Sequence, residues 1–253
     1  MRSALAVLQP DRVLFHCVYE PHGVWWDRLR DRLEVVPARN VTHIGVHNKP
    51  VVHYAHKADV LRLEALRDYG GTYLDIDTFV LRPFTRLYDY DVVLGMEAAA
   101  GSEDGMKPKG LCNAVIVARK GAPFIDAWLD SYDSFDESQW ADHSVALPWT
   151  LARAYPHLVT VLSDRAFFWP LWTPDGLRTV HVGDEYDFHA SGQLAYHAWE
   201  SVAGKYLGPL DPPSVLAGTT SFTRMARRFV APGDLQLWSE LMFSERRRAY
   251  KYK

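Results

Sequence analysis

Hydrophobic and polar positions along this chain recur with two different periods. The clearest helical period lies over 57–69, where Ala58, Leu61, Ala65, Leu66 and Tyr69 share a face. Gly70-Gly71 supplies the left-handed residue that ends such a helix. Thr72–Leu81 then reads as a strand, stopped by Pro83. Upstream, residues 3–9 read as a helix halted at Pro10, Val13–Tyr19 as a strand, Pro21-His22-Gly23 as a turn and Trp25–Leu33 as a helix. Val51–Tyr54 reads as a short extended piece. Downstream, Val92–Met96 and Ala114–Ala118 read as buried strands on either side of a loop, Ala99–Gly110, rich in Gly, Lys and acids. Helices are expected at Pro123–Tyr132 and Ser144–Tyr155, and short strands at Val159–Leu162 and Val180–Val182. A basic amphipathic helix closes the chain over Leu235–Tyr252. This alternation predicts an α/β fold around a central, mainly parallel mixed sheet. With no repeat, low-complexity tract or linker, residues 1–253 read as one domain with a basic helical tail from 235.

Composition narrows the function classes. The 253 residues are enough to bury a sizeable core, and 48% hydrophobic with 23% charged residues is ordinary for a soluble globular protein. A formal charge of -3 argues against a general nucleic-acid binder. Cys17 and Cys112 make neither a disulfide framework nor a zinc spacing, which favours a reducing, cytoplasmic compartment. No apolar run is long enough for a membrane span, and the apolar stretch near Met1 is too short for a signal peptide. Nine Trp and thirteen Tyr suit a sugar-binding protein, although aromatic residues mostly serve cores and interfaces.

The chemistry concentrates in Asp75-Ile76-Asp77. In a strand, positions i and i+2 face the same side, so both carboxylates are expected to project together with Ile76 turned into the core. Two adjacent carboxylates repel unless a cation lies between them, and Mg²⁺ or Mn²⁺ with oxygen ligands fits. Such an ion would neutralise a diphosphate leaving group. On the preceding helix, Asp59 and Arg62 stand at i and i+3 on one face, placed either to grip sugar hydroxyls or to form a plain surface salt bridge.

Lys57-Ala58-Asp59-Val60-Leu61-Arg62, Leu66, Tyr69-Gly70-Gly71, Tyr73 and Asp75-Ile76-Asp77 together resemble the signature of family 32 glycosyltransferases with a DXD sugar-binding region. That family includes fungal mannosyltransferases and is related to the clostridial glucosylating toxins. A weaker likeness runs through Gly110–Ala114, Trp140–Pro148 and Tyr196-His197-Ala198-Trp199. The resemblance implies a GT-A-type nucleotide-binding sandwich and transfer of a hexose or pentose from a nucleotide-sugar donor to a hydroxyl of a glycan or other acceptor. It implies that Asp59 and Arg62 hold the donor sugar, with Tyr73 in the same run, that Asp75 meets ribose or sugar, and that Asp77 ligates the metal. Asn113 stands where the family places a polar residue near the transferred sugar; it is equally readable as a turn residue entering a strand. GT-A enzymes take another metal ligand from near the end of the domain, and His197 is the candidate, with His181 and His189 as alternates. Relatives begin with a strand of the Pro-x-Ile-x-His-x-x-Trp kind that is not found ahead of Val13, so His16 and Tyr19 become candidates for the donor base pocket.

Three further features have both a functional and a bland reading. Trp140, Asp142 and His143 line an expected acceptor side, with Asp142 or His143 as base. Lys107 and Lys109 either touch donor phosphate or acceptor, or belong to a solvated loop. Arg246-Arg247-Arg248 with Lys251 and Lys253 either meets an anionic surface or is a solvated tail. Two rival functions stand beside the transferase. One is a non-catalytic carbohydrate-binding or nucleotide-sugar-binding module. The other is a haloacid dehalogenase-type phosphatase, because Asp75-Ile76-Asp77-Thr78 fits its first motif with Asp75 as nucleophile.

Overall fold

The computed structural model describes residues 1–101 and 108–251, those from 245 onward by backbone alone. The chain divides into two compact units, Met1–Trp169 with Gln193–His197, and Pro170–Gly192 with Ala198–Lys253.

The first unit opens with α1 (Arg2–Val7), followed by β1 (Leu14–Cys17), α2 (Val24–Arg30) and β2 (Glu34–Pro37). β1 and β2 pair in parallel across α2, a small βαβ unit. The short hairpin of β3 (His43–Ile44) and β4 (Lys49–Pro50) leads into α3 (Tyr54–Tyr69). Then come β5 (Gly71–Leu74), β6 (Thr78–Val80), β7 (Val92–Ala98), β8 (Pro108–Ala118) and α4 (Pro123–Asp130). A π-helical turn (Asp142–Ala146), α5 (Leu147–Ala154), β9 (Thr160–Leu162) and β10 (Ala195–His197) complete it.

The central sheet runs β5-β8-β7-β9. β8 is antiparallel to both neighbours, and only β7 and β9 run parallel. The sheet is therefore mixed, as expected, but it is not mainly parallel. The cause is the short connection between Ala98 and Pro108. Parallel neighbours need a crossover of about a dozen residues or more, whereas antiparallel neighbours join directly. Helices, strands and a mixed sheet of this kind are compatible with a GT-A-like fold.

Helix α3 begins earlier than its apolar period, because His53 caps it. The His53 Nδ1 accepts from Ala55 N at 3.1 Å, so Tyr54 is helical and Val51–Tyr54 is no strand. Its buried face mixes Val60, Leu63 and Leu66 with Asp59 and Arg62. The apolar members join a core with Leu94, Ile116, Phe124, Ile125 and Trp128 from the sheet, α4 and their surroundings. Gly70 ends the helix at φ +68, and a Cβ there would stand 2.5 Å from Lys120 N. Only glycine fits both the torsion and the space.

The expected strand Thr72–Leu81 is broken. β5 pairs with β8 and β6 with β10, in two different sheets, so the chain turns between them. Asp75 N still donates to Ala114 O at 2.9 Å, and Thr78 N then donates to Asp75 O at 3.0 Å, closing a four-residue turn. Ile76 sits at the tip, 78% exposed, and is not a core residue.

The second unit contains α6 (Pro174–His181), α7 (Glu200–Leu207), α8 (Pro212–Ala217), α9 (Ser221–Ala226) and α10 (Asp234–Lys251). Val180 belongs to α6, with Leu177 and Val180 buried at i and i+3, so the expected strand at Val180–Val182 is absent. Thr173, Asp211 and Thr220 cap α6, α8 and α9 by accepting backbone N–H bonds. His181 lies against Tyr206 and Phe222, at ring distances of 5.2 and 4.7 Å. α10 covers most of the predicted tail helix; the side chains of Arg246, Arg247, Arg248 and Lys251, and all of Lys253, lie outside the described residues.

Candidate active site: an ionic frame beside an acid–imidazole cluster

Arg62 is the hub. It projects from the middle of α3 and is buried with its charge. Its Nη1 donates to Asp75 Oδ1 at 2.9 Å and to Asn113 O at 2.8 Å, and its Nε to Ala58 O at 3.3 Å. Its Nη2 lies 3.1 Å from Asp59 Oδ1. The guanidinium also lies over the Tyr73 ring, 4.6 Å from its centre, while the Tyr73 hydroxyl donates to Asp75 Oδ1 at 2.7 Å. Neighbouring acids hold the Arg62 pKa above its ordinary value against the opposing effect of burial. Burial is the main cause that pushes the Tyr73 hydroxyl up. The planar fork of Arg suits this simultaneous grip on two carboxylates and two carbonyls.

Asp59 takes the other end. Its Oδ1 accepts from Asn113 Nδ2 at 2.7 Å and pairs with Arg62, while Oδ2 has no partner among the described residues. Burial raises the Asp59 pKa, and Arg62 and Asn113 pull it back only in part. Asn113 reaches this place through an irregularity in β8. Leu94 is paired with Ile116, but the next residue of β7, Gly95, is paired with Cys112, so 113–115 form extra length in β8. Such bulges re-aim side chains beside functional sites. A Cβ at Gly95 would stand 2.7 Å from Phe167, so glycine permits the close packing opposite the bulge. Asn113 is thus buried within a strand, not a residue at its entrance.

Asp75 also faces a second cluster. The His197 Nε2 stands 3.3 Å from Asp77 Oδ1 and 3.9 Å from Asp75 Oδ2. One ligand atom from each of Asp75, Asp77 and His197 lies within 4.8 Å of the others. Two elements bring them together. The turn after β5 carries both acids, and β10 places His197 opposite Thr78 of β6. Two carboxylates and an imidazole at this separation can hold a divalent ion, with open positions left for other oxygen ligands.

The other predicted residues are less connected. His16 is half-buried on β1 with its ring edge toward Tyr69, and Tyr19 is 87% exposed; no hydrogen bond or ion pair links either to the Arg62 frame. Asp142 is exposed on the π-helical turn. The His143 ring packs against both Tyr132 and Phe135, which stack on each other, with Nε2 3.2 Å from Ser134 Oγ. Lys109 pairs with buried Glu97 at 3.3 Å, and Lys107 lies outside the described residues. His181 and His189 fall in the second unit. Sequence reasoning missed His56 and Glu137, which meet beside Asp59, His56 Nδ1 standing 3.2 Å from Glu137 Oε2. The His53-x-x-His56 spacing at the head of α3 is the one sequence signal that points to them.

An acidic turn is tied to a buried helical Asp and Arg, with an imidazole facing the turn, an arrangement similar to that expected from the DXD glycosyltransferase signature. Residues 21–95 match the family described as the glycosyltransferase sugar-binding region containing the DXD motif, a span that includes Asp59, Arg62, Tyr73, Asp75 and Asp77. This match accords with the resemblance to family 32. It is also 48% identical, over 235 residues, to the Glucan organizing enzyme 1 of Cryptococcus neoformans var. grubii. That match covers 92% of this chain and 64% of the relative, so the chain spans just under two thirds of the relative's length. No helix among the described residues is long and apolar enough to cross a membrane.

Proposed function

We propose that this protein is a metal-dependent glycosyltransferase that moves a hexose or pentose from a nucleotide-sugar donor to a hydroxyl of a glycan. The observation that carries the reading is Arg62, which joins Asp59 and Asn113 on one side to Asp75 on the other, with Asp77 and His197 next in line. Asp77 and His197, with Asp75 beside them, are the residues that would hold Mn²⁺ or Mg²⁺; the imidazole favours Mn²⁺. When bound, the ion supplies positive charge at the diphosphate as the sugar leaves.

The chain's own residues do the rest. Asp59 Oδ2 is free to accept a sugar hydroxyl, and Arg62 and Asn113 hold Asp59 in one orientation. Such fixed positioning is where the rate gain of a bisubstrate transfer originates. The bond from the anomeric carbon to the diphosphate oxygen breaks, with its electron pair on the diphosphate. The acceptor oxygen bonds to that carbon, and its proton passes to the departing diphosphate. Asp75 serves as a bridge, and its Oδ1 is committed to Arg62 and Tyr73. That commitment disfavours the phosphatase alternative, in which Asp75 would be a free nucleophile. The relative's name points to a glucan as the acceptor.

The direct test is to present UDP-, GDP- and dTDP-sugars with Mn²⁺, Mg²⁺ or a chelator and measure free nucleoside diphosphate. Turnover of one donor that stops on chelation supports the proposal. Binding of a donor without any hydrolysis or transfer would favour the non-catalytic module instead.

A further inference from the structure

An aromatic shelf lies next to the sugar end of the frame and has no part in it. Trp140 is 59% exposed, yet it is held by ring contacts beneath, edge-on to His53 at 4.9 Å and tilted toward His56 at 5.6 Å. A large exposed indole fixed from one side offers its remaining surface to a ligand. The floor is polar. Glu137 Oε1 accepts from His53 N at 2.7 Å, and Oε2 lies 3.2 Å from His56 Nδ1. His56 is 4% exposed, and its Nε2 has no hydrogen-bond partner among the described residues. A buried polar atom without a partner is uncommon and points to a group that arrives from outside.

The position of the shelf says which group. His56 and Asp59 stand at i and i+3 on α3, so they share a face. Arg62 separates Asp59 from Asp75, and hence from the acid–imidazole cluster. The order is therefore Asp77 and His197, Asp75, Arg62, Asp59, His56, Trp140. With the diphosphate at the first end and the moving sugar at Asp59, a ring on Trp140 lies beyond the anomeric carbon from the leaving group.

Resting on the glycosyltransferase reading above, we propose that Trp140, His53, His56 and Glu137 form an acceptor subsite that binds a pyranose ring of a glycan chain. A pyranose has an apolar C–H face for the indole and hydroxyls for the Glu137–His56 pair. Pockets that join an apolar wall to a few convergent polar groups bind such amphipathic rings. A nucleobase would use the indole and leave the hydroxyl-binding pair idle.

The test uses the full chain with gluco- and manno-oligosaccharides of two to six residues. Binding is followed by calorimetry and by Trp fluorescence, and transfer where a donor is turned over. Trp140→Ala and Glu137→Gln are expected to weaken oligosaccharide binding tenfold or more, with Trp140→Phe restoring most of it, while affinity for free nucleoside diphosphate stays as in the parent. KM for the acceptor should rise with little change in kcat. If Trp140→Ala weakens nucleotide binding and spares the oligosaccharide, the shelf belongs to the donor base and the proposal is overturned. Unchanged oligosaccharide affinity in both variants overturns it as well. Oligosaccharide binding that depends on Trp140, in a protein that turns over no donor, would uphold the shelf and sink the transferase reading.

Discussion

Two acidic clusters share Asp75 and differ in what balances their charge. In the first, Asp59 and Asp75 Oδ1 are met by the Arg62 guanidinium, by Asn113 and by the Tyr73 hydroxyl, all part of the fold. In the second, Asp77 and Asp75 Oδ2 face the His197 imidazole, which brings a full positive charge only when protonated. The first cluster is a frame complete in itself. The second groups two carboxylates and an imidazole closely enough to hold the divalent ion proposed for it. Removing a partner from the frame should thus cost stability, and removing one from the second cluster should cost ion binding.

The largest expected effect is Arg62→Ala. It leaves Asp59 and Asp75 without their cation in a buried setting, at a cost of about 3–5 kcal/mol. Denaturant unfolding measures this, and a loss below about 1 kcal/mol would erase the distinction between the clusters. Asp77→Ala comes next. It should cut metal-dependent turnover about a hundredfold or more and abolish any rise in Tm on adding Mn²⁺. A rise in Tm on adding Mn²⁺ that survives in Asp77→Ala would remove Asp77 from the ion site. His197→Ala should weaken Mn²⁺ about tenfold, which is about 1.4 kcal/mol, as read by titration calorimetry.

His181 is a contrast to His197. Burial lowers its pKa to about 4, from 6.5. The folded state therefore prefers the neutral ring. Its contribution to stability is complete above pH 6.5 and is lost as pH falls from 6.5 toward 4, where the unfolded chain takes up the proton first. His181→Phe should flatten that acid limb in denaturant melts across pH 4–7. An unchanged limb would place the acid sensitivity elsewhere. The smallest effect is Ile76→Ser, expected to change stability by less than about 0.5 kcal/mol because the side chain is exposed at the turn tip. A core isoleucine would cost several times more.

Much of the frame was legible in the sequence because its signals are local. Asp59, Arg62, Gly70-Gly71, Tyr73 and Asp75 lie within one helix–turn–strand, where helical spacing and the left-handed stop are read directly. His197 is suggested by the family likeness alone, and its cross-strand place beside Thr78 depends on pairing between β6 and β10. What depends on non-local pairing was not legible. Ile76 looks like a core position only if Asp75-Ile76-Asp77 is a strand, and the choice between strand and turn is made by β8 and β10, far along the chain. The bulge that delivers Asn113 depends on the register between β7 and β8. The meeting of His56 with Glu137 likewise depends on tertiary packing, for which no short-range pattern exists.

The glycine pair after α3 bears on how this chain can vary. Arg62 and Asp75 are 13 residues apart and meet at 2.9 Å across a corner with no slack, since a Cβ at Gly70 would stand only 2.5 Å from Lys120 N. A side chain at position 70 has nowhere to go, and one residue inserted or deleted within 68–72 would rotate Arg62 away from Asp75 or slide β5 along β8. Such a chain would keep every acid, base and imidazole named above and still have no site. Length variation among working relatives is therefore expected outside this corner, which acts as a ruler between the helix and the acidic turn.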